Sequence, residues 1–233
     1  RCTRRPCRRF PPRHTTSVPP CAHPVLGAAA AVTDKIKLGT SICLVVQRDP
    51  FNCAKEVSTL DQISNGRVIF GIGAGWNSPE LENHGTDPTT RFRLMRERVE
   101  AMKELWTKKE SEYHGKYYDF PPVRSFPKPV QKPHPPVILG SKAKNVFRRI
   151  VGWSDGWIPT QVTVEEVRDG RAVLNELASE AGRDPSRIEI SVLGVTPDRE
   201  EVQAYEEAGA TRALIRLQGI STDDAVAHLE DIA

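Results

Sequence analysis

The chain has no run of apolar residues approaching the ~20 that a membrane-spanning helix requires, nor the dense cysteine framework of a small disulfide-stapled domain. It has five Cys in 233 residues, and Cys43 and Cys53 have no Cys or His beside them at a metal-ligand spacing, so buried thiols are expected and no metal site. A Gly-x-Ser-x-Gly elbow is missing, and His114, His134 and His228 are too scattered to assemble a triad or a zinc cluster. Strong charge of one sign is missing too. There are 33 Lys and Arg against 30 Asp and Glu, and six of the Arg lie in residues 1–33, which hold no acid. Without those six, 27 bases face 30 acids over residues 34–233, so nothing in the charge selects a nucleic acid or a membrane surface. With 38% hydrophobic residues, a chain of this length buries well over half its unfolded surface in one core.

Residues 1–24 differ from everything after them. They hold six of the 19 Pro and three of the Cys (Cys2, Cys7 and Cys21), with no helical or alternating apolar pattern. This reads as a disordered basic leader, foreign to the domain that follows; an Arg-rich transit peptide is the alternative. The domain is taken as residues 25–233.

From Asp34 onward a short β-branched run, a turn and an amphipathic helix recur six times. The strands are expected at Ile36–Val46, Val68–Gly73, Pro136–Gly140, Gly156–Thr160, Ile188–Val195 and Arg212–Leu217. Asp49-Pro50 predicts a helix start and Asn65-Gly66 its left-handed stop. Thr90–Trp106 predicts a helix with Phe92, Met95, Val99, Met102 and Trp106 inward. Thr163 with Glu166 and Asp198 with Glu201 read as capping boxes, and a last short helix after Thr222 should bury Ala225, Val226, Leu229 and Ile232. Lys103, Lys108 and Lys109 read as a solvated helix end. Strands alternating with helices make a parallel sheet. Six units in 200 residues is about two units short of a (β/α)₈ barrel and complete for an open doubly wound sheet, so counting leaves the two level.

Thr107–Pro136 interrupts the rhythm. Tyr113, Tyr117, Tyr118 and Phe120 flank Gly115 in a predicted hairpin, followed by a proline-rich return; a lid and a hairpin packed on the outer wall are both open. The most informative stretch is Ser58–Trp76, where a capped helix turns into a strand ending in Gly71, Gly73 and Gly75. Glycines at a strand's C-terminal end let a ring or phosphate approach the backbone; tight packing is the other explanation. The Gly-x-Gly-x-Gly spacing and an expected loop over Asn77–Pro88 do not match a dinucleotide fingerprint.

Thr59-Leu-Asp-x-x-Ser-x-Gly-Arg67 followed by Gly71-x-Gly-x-Gly-Trp76 resembles the signature of the luciferase-like oxidoreductases, which depend on flavin or deazaflavin and fold as TIM barrels. Ile36–Ile42, the Tyr113–Phe120 insertion and Pro136–Ser141 agree in order. The likeness covers about residues 30–233 and is strongest to the subgroup that uses coenzyme F-420, an 8-hydroxy-5-deazaflavin. It implies a (β/α)₈ barrel of the bacterial luciferase type whose first two strands, and with them catalytic residues, have no counterpart here, so an incomplete barrel is expected. It also implies hydride transfer between coenzyme F-420 and a small organic substrate in a cytoplasmic enzyme, often a homodimer. An FMN-dependent monooxygenase of the same superfamily is the alternative, and a noncatalytic fragment a third. The cofactor residues implied are Gly39, Thr40, Ser41 and Ile42, with a non-prolyl cis peptide at Ser41–Ile42; Gly73, Ala74 and Gly75; and Gly140-Ser141, the backbone amide pair for a phosphate. Trp76, Asn77, Trp157 and Thr160 are the candidates for the substrate pocket, with Glu80 and His84 able to supply polar contacts or move a proton.

Overall fold

The computed structural model describes residues 22–217 and 221–232; the expected leader up to Cys21 lies outside the described residues. Helix α1 (Ala22–Val32) begins inside the segment expected to be disordered. Pro24 falls in its first turn, where a missing N–H costs nothing.

Strand β1 (Leu38–Gly39) and strand β2 (Cys43–Leu44) both pair in parallel with β3 (Val68–Gly73), so the expected single strand Ile36–Val46 is broken between them. The break contains the Ser41–Ile42 cis peptide. Helix α2 (Pro50–Ile63) starts as expected, with the Asp49 carboxylate accepting from Asn52 N–H at 2.9 Å and Pro50 at its first position. It stops at Asn65 and Gly66, whose φ values of 52° and 78° are left-handed. After β3 comes a short helix, α3 (Ser78–Asn83), where a loop was expected, and then α4 (Arg91–Thr107).

The chain continues through β4 (Ser111–His114), β5 (Asp119–Val123), β6 (Val137–Leu139), α5 (Val146–Trp153), β7 (Gly156–Trp157), α6 (Val164–Glu180), β8 (Glu189–Val195), α7 (Arg199–Glu207), β9 (Arg212–Ile215) and α8 (Thr222–Ile232). The main sheet is parallel with order β1-β3-β6-β7-β8-β9, and β2 sits beside β3. That order runs one way without the reversal a doubly wound sheet requires, and the helices pack on their sequence neighbours, α1 on α2, α2 on α4 and α5 on α6. The fold is therefore of the TIM-barrel type. Among the described residues β1 and β9 do not pair, so the wall is open on that side.

The core is built from the expected strand faces, with Phe70, Ile72, Leu139 and Ile190 in one buried cluster with Met95, Val99, Met102 and Trp106 of α4, while Ile138 faces the inner side of the sheet. Three expectations about helices need correction. Phe92 is only half-buried, because it sits in the first turn of α4 above the sheet. Lys103 is not solvated: its Nζ donates to Trp153 O at 2.8 Å, and burial lowers its pKa. In α8, Val226 and Leu229 are 48% and 47% exposed, since the described residues offer that helix no covering layer. The Thr163–Glu166 capping box is present as expected.

Hairpin β4–β5 lies on the outer helices. Phe120 is buried edge-on to Phe51, Tyr113 OH donates to Glu100 at 2.7 Å, and Glu97 accepts from the N–H groups of Tyr117 and Tyr118. The wall-packing alternative is the one observed, because the aromatic side chains find apolar surface on α2 and α4.

Candidate functional site

Parallel strands leave their C-terminal ends and following loops free to build a site. Here those ends line a cavity of about 590 Å³. Its walls are Ser41, Ile42 and Leu44 from the break between β1 and β2, Ala74, Gly75 and Trp76 after β3, Gly140, Ser141 and Lys142 after β6, and Ile158 and Thr160 after β7. Arg91 and Phe92, from the start of α4, close one side. Most of this lining is apolar, as expected of a site that takes a flat organic ring.

The glycines divide between the two explanations. A Cβ at Gly71 would overlap the Thr40 carbonyl oxygen, and one at Gly73 would overlap the Ile42 side chain; at Gly140 it would lie 2.9 Å from Ile42 Cγ2. These three glycines make room for the Thr40–Ile42 break itself, which Thr40 Oγ1 anchors by donating to Gly71 O at 2.7 Å. Ala74 and Gly75, not Gly73, face the cavity. The correction to the expected cofactor set is steric: the space beside Gly73 is filled by Ile42.

The electrostatics are uneven. The Arg149 guanidinium lies 4.0 Å from the Phe92 ring centre and that of Arg91 4.8 Å, and neither has a carboxylate partner among the described residues. Arg91 Nε and Arg149 Nη1 are buried with no hydrogen-bond partner among the described residues. Burial and then the neighbouring Arg91 push the Arg149 pKa down, although a guanidinium keeps its proton. Both guanidiniums stack on Phe92 as cation–π contacts, and Arg91 also donates to Pro88 O at 2.6 Å. Close by, Ser141 N–H makes no hydrogen bond among the described residues, while Ser141 Oγ accepts from Ala143 N–H and keeps its own proton to donate. Gly140 N–H is not available, because it donates to Ile72 O at 2.8 Å. The expected Gly140-Ser141 amide pair is thus reduced to one amide plus a hydroxyl.

The family profile of the luciferase-like monooxygenases matches residues 10–230. The chain belongs to this family. A Mycobacterium tuberculosis protein of uncharacterised function is 41% identical over 210 residues, 89% of this chain and 73% of that protein. An FMNH(2)-dependent dimethylsulfone monooxygenase of Pseudomonas putida is 28% identical over 191 residues, covering 81% of this chain and 51% of that enzyme. Among solved structures, an F420-dependent secondary alcohol dehydrogenase in complex with an F420-acetone adduct superposes with a TM-score of 0.77 at 19% identity, over 91% of this chain and 83% of that one. That likeness speaks for the fold.

Within this luciferase-like frame, the sequence-expected residues separate. Ser41, Ile42, Ala74, Gly75, Trp76, Gly140, Ser141 and Thr160 converge on the cavity, and the Ser41–Ile42 bond is cis as the resemblance implied. Trp76 is 86% exposed at the rim, which removes core packing as its role. Gly39 and Thr40 instead line a smaller cavity of about 290 Å³ that opens inside the sheet and shares Ser41, Ile158 and Leu193 with the first. Two substrate-pocket candidates fall away. Trp157 is 3% exposed, packs edge-on to Phe147, and its Nε1 donates to Ser141 O at 2.9 Å, so it holds the Ser141 loop from behind. Asn77 precedes α3 and lines no described cavity. Glu80 does line the larger cavity, and its carboxylate has no ion-pair partner among the described residues; His84 lines a neighbouring cavity. Arg91, Phe92 and Lys142 were missed. The available signal was an Arg-Phe pair at the start of the helix that follows the glycine-rich strand end.

Proposed function

We propose that this chain is an oxidoreductase that holds a phosphate-bearing isoalloxazine-type cofactor, coenzyme F-420, across the C-terminal strand ends and transfers hydride between it and a small organic substrate. The observation that carries this reading is the pairing of a flat apolar cavity with an unneutralised cationic end. The residues present fit such a group: Ile42, Ala74 and Gly75 offer a wall to a ring, while Arg91, Lys142 and the Ser141 N–H and hydroxyl line the same cavity with donors for an anion. When bound, the deazaflavin supplies a carbon that accepts or gives hydride. The chain's own part is to bind and orient. Trp157 fixes the Ser141 loop, Thr40 fixes the break behind the ring, Trp76 excludes water at the rim, and Glu80 places an unpaired carboxylate where a substrate hydroxyl or amine can donate to it.

An FMN-dependent monooxygenase is the second reading, favoured by the Pseudomonas putida relative. Titration of the chain with coenzyme F-420 and with FMN, read by fluorescence, separates the two. Tighter binding of coenzyme F-420 supports the first reading and tighter binding of FMN the second. No binding of either by the folded chain overturns both and leaves a noncatalytic domain.

A further inference from the structure

A second cavity, of about 610 Å³, opens at the opposite end of the strands, where Pro136 leads into β6, Asp155 leads into β7 and Glu189 begins β8. It shares no lining residue with the cavity at the C-terminal ends. Lys132, His134, Arg183, Asp184 and Arg187 make its wall polar. The carboxylates are engaged. Both Glu189 oxygens accept from Arg212, Asp155 accepts from Val137 N–H at 2.8 Å and pairs with Arg183, and Asp184 Oδ1 accepts from the N–H and hydroxyl of Ser186. Arg183 also donates to Ile150 O and Val151 O. Two cations keep donors free. Lys132 Nζ donates to Pro129 O at 3.1 Å and has no carboxylate partner among the described residues. Arg187, its side chain 84% exposed, lies 4.0 Å from the Asp184 carboxylate, beyond hydrogen-bond reach.

The same wall carries a neutral acceptor. His134 Nδ1 is 2.9 Å from Pro135 O, a carbonyl that can only accept, so Nδ1 holds the ring's proton. The Asp155 carboxylate, 4.0 Å from Nδ1, is too far to compete. Burial outweighs Pro135 O and Asp155 and lowers the His134 pKa, with Lys103 of α4 adding to the effect, so the ring is neutral near pH 7. Trp106 packs on the ring at 5.9 Å between centres. Nε2 then carries a lone pair. It has no partner among the described residues and is not one of their buried partnerless atoms, so the cavity reaches it.

We infer that this cavity binds an oxyanion that still carries a proton, monohydrogen phosphate, whose P–OH donates to His134 Nε2 while its charged oxygens accept from Lys132 and Arg187. Sulfate has the same charge and shape without the proton, and the dianion of a phosphate monoester lacks it too. Either one turns an oxygen lone pair toward Nε2, so the site discriminates by the proton. The inference is independent of the cofactor reading, because the two cavities lie at opposite ends of the strands.

The probes are inorganic phosphate, sulfate and methyl phosphate, titrated against the full chain by NMR at about pH 8, where the ester is a dianion. The His134 ring resonances are the reporter. The expected result is phosphate binding about fivefold or more tighter than the other two, with the His134 ring shifting. His134→Phe, which keeps the packing on Trp106, brings the three affinities together. Arg187→Gln, at an exposed side chain, weakens all three severalfold. Equal affinities for the wild-type chain overturn the proposal, as does failure of phosphate to bind, a preference that persists in His134→Phe or an affinity unchanged in Arg187→Gln. A response at Ser141 without one at His134 overturns it as well, by locating the anion at the other end of the strands.

Discussion

The two ends of the sheet spend their polar groups differently. At the N-terminal end, Arg67 donates to Ser64 O, Thr33 Oγ1, Ile36 O, Ala30 O and Thr33 O, tying the close of α1 and the close of α2 to the start of β3. Asp61, fully buried, accepts from the N–H and side-chain amide of Gln131, while Asp155 accepts from Val137 N–H and pairs with Arg183. At the C-terminal end, Arg91, Arg149, His23 and Gln47 each keep a buried side-chain atom unpaired among the described residues. One end closes its hydrogen bonds and so holds the fold; the other leaves several buried atoms unpaired near the cavities, at a cost in stability.

The largest effect that would sharpen this contrast is at Arg67. Arg67→Ala leaves four carbonyls, two of them in buried bonds, without their donor, and urea unfolding should show a loss of about 3 kcal/mol, with cofactor affinity of the folded fraction unchanged. Next are the packing glycines. Gly71→Ala drives a methyl into backbone and should cost about 2–3 kcal/mol, whereas Gly73→Ala meets only the flexible tip of Ile42, which can swing into the main cavity. The second variant should therefore unfold at nearly the wild-type urea concentration and lose cofactor affinity instead. Equal destabilisation of the two would break the distinction between backbone packing and site.

At the cationic end, Arg91→Ala or Arg149→Ala should lower cofactor affinity about tenfold or more while changing unfolding free energy by less than ~0.5 kcal/mol. A large loss of stability would mean that these guanidiniums hold the fold after all. The smallest effect is on pH dependence. Burial lowers the pKa of His134, so the unfolded chain takes up the proton first; its contribution is complete above pH 6.5 and is lost as pH falls through its lower folded value. His134→Phe should flatten the acid side of the stability curve, and an unchanged curve would show that His134 is not a source of acid lability.

Much of this contrast was legible in the residues. Val68–Gly73 forms a strand over the expected span, and the Asp49-Pro50 start and Asn65-Gly66 stop hold, because caps and left-handed turns are local chemistry. The signature from Asp61 to Arg67 was visible as a motif but not as structure, since its partners Gln131, Thr33 and Ile36 are remote in sequence. Periodicity marks Trp157 and Phe92 as apolar without telling core from cavity wall, and it reads Arg91 as a solvated helix face. Only the approach of Arg149, 58 residues away, gives Arg91 its meaning. The choice between barrel and doubly wound sheet likewise rested on strand order, which composition does not carry.

The most direct measurement is hydrogen exchange of the folded chain with and without saturating cofactor. The account predicts added protection at Ser41–Leu44, Ala74–Trp76 and Ser141–Lys142, with Asp61–Arg67 and Gln131 exchanging at the same rate in both states. Protection spread over both ends, or absent from the C-terminal strand ends while the cofactor is bound, would contradict it.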